Sequence, residues 1–165
     1  MRVIADVLKK KIPKRTALYI FKGIEYGTKR LHKEAAAAFT NAIKLSPAYA
    51  DAYNYRGFAY AAPGQYDLAI PDYDQAIRIE PNFTGAYINR AFSYFRKGAY
   101  DKAIIDFDSA IRLDPKNAPA YYNKGVCYYF KRDYENALRN VEKARELGLA
   151  VSKDLLNFLQ SSVQK

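Results

Sequence analysis

The sequence has 165 residues, half of them hydrophobic, and a formal net charge of +10 at pH 7. With this length and composition we do not expect a disordered chain, and we predict one domain, or one array, that buries a substantial core. A single cysteine cannot form an internal disulfide, and one cysteine with one histidine is a poor basis for a zinc site, so we expect no disulfide, metal or other cofactor.

The first residues, MRVIADVLKKKIP, contain too short an apolar stretch for a signal peptide and place lysines where a cleavage region would stand. No apolar run in the chain approaches the roughly 18 residues of a membrane span. The sequence therefore predicts a soluble, unexported, cytoplasmic protein without a transmembrane segment.

The positive charge is concentrated at the start of the chain. Residues 1–33 hold ten Lys or Arg and two acidic residues, whereas residues 34–165 hold 17 basic and 15 acidic residues. A general nucleic-acid-binding protein has a basic stripe along its binding face, so this distribution makes nucleic acid an unfavoured partner. The alternative is RNA binding, or peripheral contact with an anionic membrane, through a basic patch of eight residues. The basic patch is Lys9, Lys10, Lys11, Lys14, Arg15, Lys29, Arg30 and Lys33. A solvated face on a capping helix is the competing interpretation, which the sequence favours.

The sequence repeats with a period of 34 residues, and this repeat organises the rest of the chain. The same step relates four prolines, Pro13, Pro47, Pro81 and Pro115, and four tyrosines, Tyr19, Tyr53, Tyr87 and Tyr121. It also relates Gly23, Gly57 and Gly125, with Ala91 at the matching place in the third unit. Coincidences at so many places exclude chance.

The four units cover residues 16–49, 50–83, 84–117 and 118–151, and each predicts two helices. Aromatic residues about seven apart, with a small residue between them, mark the first helix, as in AYNYRGFAY. AxxxFxxA spacing marks the second helix, which ends at a proline. We expect the small residues to let the two helices approach closely. Pro71 falls inside the second helix of unit two, so we predict a kinked or late-starting helix there.

This pattern resembles the tetratricopeptide repeat (TPR) family, whose unit is a 34-residue helix–turn–helix with aromatic, Gly, Ala and terminal Pro residues at matching places. The resemblance covers residues 16–151. It implies an all-α fold, a right-handed superhelical solenoid of antiparallel helix pairs with about four repeats and terminal capping helices. It also implies a concave groove lined by the first helix of each repeat, in one array over residues 1–165.

The two ends of the array are expected to be helical. Residues 1–15 predict an N-terminal helix, either a cap or a degenerate half-repeat of a longer array, whose apolar face is formed by Val3, Ile4, Val7, Leu8 and Ile12. Residues 152–165 predict a C-terminal capping helix over 153–163, with Ser152 as N-cap. Its apolar side, which we expect to cover the fourth repeat, is Leu155, Leu156, Leu159 and Val163.

No constellation in the sequence predicts catalysis. His32 stands where the other repeats have tyrosine and is interpreted as a packing residue. Cys127 lies at a tolerant place on a first helix and is interpreted as an inert, partly buried thiol. The Asp72/Asp74 and Asp106/Asp108 pairs point about 200° apart on a helix, so neither pair can share a metal ion. We expect instead exposed ion pairs Asp74–Arg78 and Asp108–Arg112.

What remains is the groove that the resemblance implies. Its lining residues in repeats two to four include Asn54, Phe58, Ile88, Asn89, Phe92, Phe95, Arg96, Tyr122, Asn123, Val126, Tyr129 and Phe130. Repeat one would contribute Ile20, Phe21, Ile24 and Thr28. Such a concave apolar surface favours a protein partner.

Of two binding modes known in TPR proteins, these residues match one in part and lack the other. Asn89 and Asn123, one repeat apart, form a two-rung version of the asparagine ladder that holds an extended peptide in some TPR proteins. The lysines of the carboxylate clamp that binds acidic chaperone tails are missing, because Ile20 and Asn54 stand at one such place and Gly85 and Pro119 at the other. We therefore reject the clamp.

The sequence thus predicts a non-enzymatic protein-interaction scaffold that binds an apolar or aromatic peptide or helix in its groove. The basic patch and self-assembly into a homo-oligomer, through the groove or the array ends, are the alternatives.

Overall fold

The structure is a computed structural model that describes residues 4–6 and 12–164, and every regular element in these residues is an α-helix. Residues 4–6 are helical. The helices that follow are α1 (Lys14–Thr28), α2 (His32–Leu45), α3 (Ala50–Ala61), α4 (Tyr66–Ile79), α5 (Thr84–Arg96), α6 (Tyr100–Leu113), α7 (Ala118–Phe130), α8 (Tyr134–Glu146) and α9 (Lys153–Val163). The expected all-α class is confirmed for these residues.

The chain divides into two compact parts, Met1–Asn89 and Arg90–Lys165. In the first part, α1 packs on α2, α2 on α3, and α3 on α4. In the second part, α6 packs on α7, α7 on α8, and α8 on α9. Each packed helix therefore lies against its neighbours in sequence, which is the contact pattern of a helical repeat.

Close approach of the two helices within a repeat explains the glycines of the first helices. A Cβ added at Gly57 would lie 2.7 Å from the ring of Tyr73, and one added at Gly125 would lie 2.8 Å from Cγ2 of Val141. Tyr73 and Val141 are fully buried. A larger side chain would force the two helices apart, so these glycines fix the spacing of the helix pairs in repeats two and four.

Buried ion pairs also join the two helices of repeats two and three. Arg56 donates from Nε and Nη2 to both carboxylate oxygens of Asp72, at 2.8 and 2.6 Å. Arg90 makes the same two-point contact with Asp106, at 2.8 and 2.7 Å. Both carboxylates are buried, and the hydrogen bond to Asp72 raises the pKa of the Arg56 guanidinium. Two-point pairing of this kind fixes the orientation of both side chains.

The exposed pair Asp108–Arg112 expected from the sequence is not the arrangement that the structure shows. Asp108 contacts Lys124 of the next repeat at 2.6 Å, and Arg112 donates to Ser109. Arg78 likewise donates to Gln75. The prediction used spacing along one helix, whereas the partner of Asp108, Lys124, lies on the neighbouring helix α7.

Helix α4 begins at Tyr66, in register with α2, α6 and α8, so the predicted late start is wrong. Pro71 is exposed and the helix continues through it to Ile79, with Ala69, Tyr73 and Ala76 buried on its inner side. This burial holds the helix although the proline lacks an N–H group. The alternative, a kink at Pro71, stays a prediction.

Helix α9 packs on α8 in the second part. Ser152 accepts a hydrogen bond from the backbone N–H of Asp154, and Leu156 and Leu159 are buried against α8. Val163 is exposed, which corrects its expected place on the apolar side. It lies in the last turn, beyond the leucines that pack on α8.

At the N-terminal end, Ile12 is buried and Ile4 is exposed, so Ile4 does not form part of the expected apolar face. Val3, Val7 and Leu8 lie outside the described residues. Asp6 is buried and accepts a hydrogen bond of 2.9 Å from the hydroxyl of Tyr49. This contact anchors residues 4–6 to the end of the first repeat.

The ion pair of repeat three yields a stability test. Asp106→Asn keeps the side-chain shape but removes the charge that pairs with Arg90. We expect it to lower the free energy of unfolding by about 2 kcal/mol, since hydrogen bonds to charged groups contribute about that much. Denaturant unfolding measures the change. The control is Glu135→Gln, which removes an exposed pair with Arg139 and should change stability by less than about 0.5 kcal/mol. Equal losses in the two variants contradict the structural role of Asp106.

Candidate functional site

Aromatic side chains in the second compact part form one continuous cluster, here called the aromatic row. Its members are Phe92, Phe95, Tyr100, Tyr129, Phe130, Tyr134 and Phe158. Neighbouring ring centroids lie 5.5–6.2 Å apart, in stacked, tilted and edge-to-face arrangements. These distances are typical of attractive aromatic pairs, so the rings hold one another in place.

The aromatic row is exposed along much of its length. The exposed fractions are 47% for Phe92, 37% for Tyr129, 51% for Phe130 and 45% for Phe158. The row therefore combines rings fixed by their neighbours with a large apolar area open to solvent.

The sequence predicted part of this row. Phe92, Phe95, Tyr129 and Phe130 were expected in the groove, and the structure brings them together. Tyr100, Tyr134 and Phe158 were missed. The two tyrosines occupy repeat positions that were assigned to packing between helices, and Phe158 lies on α9, where no repeat register indicates which side chains face outward.

The other groove candidates of the second part differ in exposure. Tyr122, Asn123 and Val126 are half-buried, and Tyr122 packs against the cluster of α8 and α9 that includes Leu156. Arg96 is exposed directly after Phe95. Tyr122 therefore contributes to the core as well as to the surface.

In the first compact part, a pocket of about 460 Å³ opens between α1 and α3, here called the anchor pocket. Asn54, Phe58 and Asn89, which were expected in the groove, line it together with Ile24 and Thr28 of repeat one. Sequence reasoning missed a further set of lining residues, which includes Gly23, Gly27, His32, Phe39 and Tyr55. The volume lies within the usual range for binding sites of small ligands.

Other predicted lining residues of the first part lie elsewhere. Ile20 is fully buried in the core beside Ala17, which corrects its groove assignment, because this side of α1 packs inward. Phe21 is exposed but is not part of the pocket wall, and Ile88 is half-buried outside it. His32 is half-buried, with one side against the pocket.

An amide pair forms the polar section of the anchor-pocket wall. Asn89 donates from Nδ2 to Oδ1 of Asn54 at 2.9 Å. The sequence paired Asn89 with Asn123 as rungs of a peptide ladder, and that ladder stays a prediction. In the described structure Asn89 bonds to Asn54, so a peptide would meet an amide that is already oriented.

The basic patch is only partly described. Lys14, Arg15, Arg30 and Lys33 are exposed. Lys29 pairs with Glu25 at 2.7 Å, with both side chains largely exposed, and such pairs are weak. Lys9, Lys10 and Lys11 lie outside the described residues. RNA or membrane binding through this patch stays a prediction.

Few side chains in the described part of the chain are candidates for a nucleophile or a metal ligand. Cys127 is fully buried, and this burial raises the pKa of its thiol to about 12. Among residues 4–6 and 12–164 no group of three or more His, Cys, Asp or Glu side chains is arranged to hold a metal ion. Within the same residues no helix is long and apolar enough to cross a bilayer.

Family comparison decides the classification of the chain. Tetratricopeptide repeat models match residues 16–49, 50–83 and 118–147, and a TPR repeat model matches residues 93–131. The chain belongs to the tetratricopeptide repeat family. No curated protein sequence matches it.

Solved TPR structures resemble this chain over most of its length. MamA is 26% identical with a TM-score of 0.77, covering 87% of this chain and 83% of its own. YrrB, described as a TPR protein with an unusual peptide-binding site, is 27% identical with a TM-score of 0.74, covering 88% and 74%. The first TPR of Spaghetti (RPAP3), bound to the HSP90 peptide SRMEEVD, is 20% identical with a TM-score of 0.69, covering 72% and 96%. At that identity the last likeness shows the fold alone.

The buried thiol yields a reactivity test. At about pH 8, a thiol with a pKa near 12 is ionised about a thousandfold less than a free cysteine, and the thiolate is the nucleophile. Iodoacetamide should therefore alkylate Cys127 at least about a thousandfold more slowly in the native TPR protein than in denaturant, as measured by mass spectrometry. Alkylation at similar rates in the two states contradicts the burial of Cys127.

Proposed function

We propose that this TPR chain is a non-enzymatic protein-interaction scaffold that binds an apolar, aromatic-bearing segment of a partner protein along the aromatic row. The observation that carries the proposal is the continuity of the row together with its exposure. YrrB, 27% identical over most of this chain, is described as having a peptide-binding site, which supports a peptide as the kind of ligand.

Exposed apolar area of this kind favours a protein partner. Contiguous apolar patches on soluble proteins mark interaction sites, and aromatic residues are enriched where binding free energy is concentrated. Phe92, Tyr129 and Phe130 expose between about a third and a half of their surface. Each can lose that solvent contact when an apolar side chain docks.

The packing of the row also lowers the cost of binding. Phe130 contacts Phe95, Tyr100 and Tyr129, each with ring centroids 5.5 Å away. A side chain held in this way loses little rotamer freedom when a ligand binds. The row is therefore a preorganised surface, in contrast to a set of independent flexible side chains.

Selection with a random peptide library tests the ligand chemistry. The full chain is immobilised, peptides are selected on it, and the affinity of the best peptide is measured by calorimetry. We expect the selected peptides to be enriched in aromatic and large aliphatic residues. Peptides selected for charge alone, whose binding weakens steeply with salt, would instead favour the basic patch.

Substitutions then place the peptide on the row. Phe92→Ala combined with Tyr129→Ala should weaken binding of the selected peptide at least about tenfold, because truncation of a central aromatic contact costs more than about 1.4 kcal/mol. The control is Ile105→Ala, which truncates a more exposed apolar side chain of the same compact part, outside the row. Unchanged affinity in the double variant would falsify the assignment.

A second copy of the chain is the remaining candidate occupant of the row. Light scattering at two protein concentrations distinguishes self-association from binding of a peptide. If the molar mass of the wild type rises with concentration while the double variant stays a monomer, the row binds a second copy of the chain and the proposed peptide ligand is wrong.

A further inference from the structure

The two compact parts differ at equivalent repeat positions, and the difference produces the anchor pocket. Two repeat lengths separate Gly27 from Phe95, His32 from Tyr100 and Ala62 from Phe130. In the second part the three rings pack together, with Phe95 5.7 Å from Tyr100 and 5.5 Å from Phe130. In the first part none of the three positions carries a benzene ring.

The space that these rings fill in the second part is open in the first. A Cβ added at Gly27 would meet no atom within 4 Å, and Gly27 and His32 both line the anchor pocket. An apolar cavity of about 150 Å³ is large enough to bind benzene. The anchor pocket, at about 460 Å³, accommodates one ring with the backbone that carries it.

The wall of the pocket suits an aromatic guest. Phe39 and Tyr55 stack there with centroids 5.5 Å apart and an angle of 22° between their planes. Ile24 adds an aliphatic surface, and the Asn54–Asn89 amide pair adds a polar one. A stacked pair offers both ring faces and ring edges, which aromatic side chains prefer to contact.

Charges beside the pocket favour an acidic neighbour for the guest. A second depression of about 300 Å³ shares His32 and Ala59 with the anchor pocket and is lined by Arg30, Lys33 and Glu34. Arg30 and Lys33 are exposed cations, and the single carboxylate, Glu34, offsets one of them. The depression is therefore complementary to an acidic side chain.

We propose that the anchor pocket binds one aromatic side chain of a partner protein, with an acidic residue next to it in the partner's sequence seated beside Arg30 and Lys33. The pocket supplies in the first part the place for a ring that Phe95 fills in the second. This site shares no residue with the aromatic row, and it gives part of the basic patch a role in recognising an acidic residue.

Small peptides test the proposal on the full chain. The probes are N-acetyl-Asp-Phe-amide, its alanine counterpart N-acetyl-Asp-Ala-amide and its uncharged counterpart N-acetyl-Asn-Phe-amide. Each is titrated into the nitrogen-15-labelled protein while the backbone amide signal of Gly23 in the pocket wall is followed. We expect the Asp-Phe probe to move this signal and to bind at least about tenfold more tightly than the alanine probe and about threefold more tightly than the uncharged probe.

Filling the pocket should abolish this response. Gly27→Phe installs the ring that the second part carries, so the Asp-Phe probe should bind it at least about tenfold more weakly, with an unchanged or raised melting temperature. If that variant fails to fold, His32→Tyr, which installs the residue of the other three repeats, is measured in its place and should weaken binding of the same probe. Ile105→Ala, which truncates an exposed side chain outside both the pocket and the aromatic row, serves as the control and should leave the response of Gly23 unchanged.

Three results overturn the proposal. They are no movement of the Gly23 signal at millimolar probe, equal affinity for the phenylalanine and alanine probes, and undiminished binding in the folded pocket-filling variant. Because the readout lies in the first compact part, these results are independent of whether the aromatic row binds its own peptide.

Discussion

The structure depends on one close contact, the approach of the two helices within a repeat. A Cβ added at Gly23, Gly57 or Gly125 would lie 2.6–2.8 Å from a side chain of the second helix, closer than real Cβ atoms come. The contact assigns one side of each first helix to the second helix. Side chains elsewhere on the first helix, such as Phe58 and Phe92, are then left exposed. Packing within the repeat thereby determines which residues are available to a partner.

That constraint explains how one framework carries two different surfaces. The positions that face away from the close contact are not fixed by the repeat's own packing, so they can change size without separating the helices. Phe95 at such a position joins the aromatic row, and Gly27 at the equivalent position leaves the anchor pocket open. Replacing the ring of Phe95 by the hydrogen atom of Gly27 changes a filled surface into a cavity. Phe39 and Phe107, which lie at equivalent positions of the second helices, are buried in both repeats. Variation of this kind is how repeat proteins alter binding while the fold is retained.

The sequence predicted the elements well because the framework residues recur at a fixed period. Tyr66, Tyr100 and Tyr134 begin the second helices of their repeats where the 34-residue register places them, and Ser152 caps the last helix as expected. Contacts between helices were harder to predict. Arg56 and Asp72 are 16 residues apart, and only their recurrence as Arg90 and Asp106 could have signalled the pair before the structure was known. Phe158 was missed because α9 lies outside the four repeats, so no register indicates which of its sides packs inward. Ile20 was misjudged although it lies in register with Asn54, because that side of α1 packs into the core.

The ion pairs also determine which charges can act in recognition. The guanidinium groups of Arg56 and Arg90 are bound at two points by buried carboxylates, so their charge is largely compensated inside their repeats. Arg30 and Lys33, by contrast, are exposed beside the anchor pocket. Apolar contacts alone discriminate poorly between partners, because a ring fits many surfaces of similar shape. A charge at a fixed distance from a ring-sized pocket restricts both the sequence and the direction of a bound segment. Because the charges of Arg56 and Arg90 are compensated within their repeats, exposed cations such as Arg30 and Lys33 are the ones that the proposed site uses.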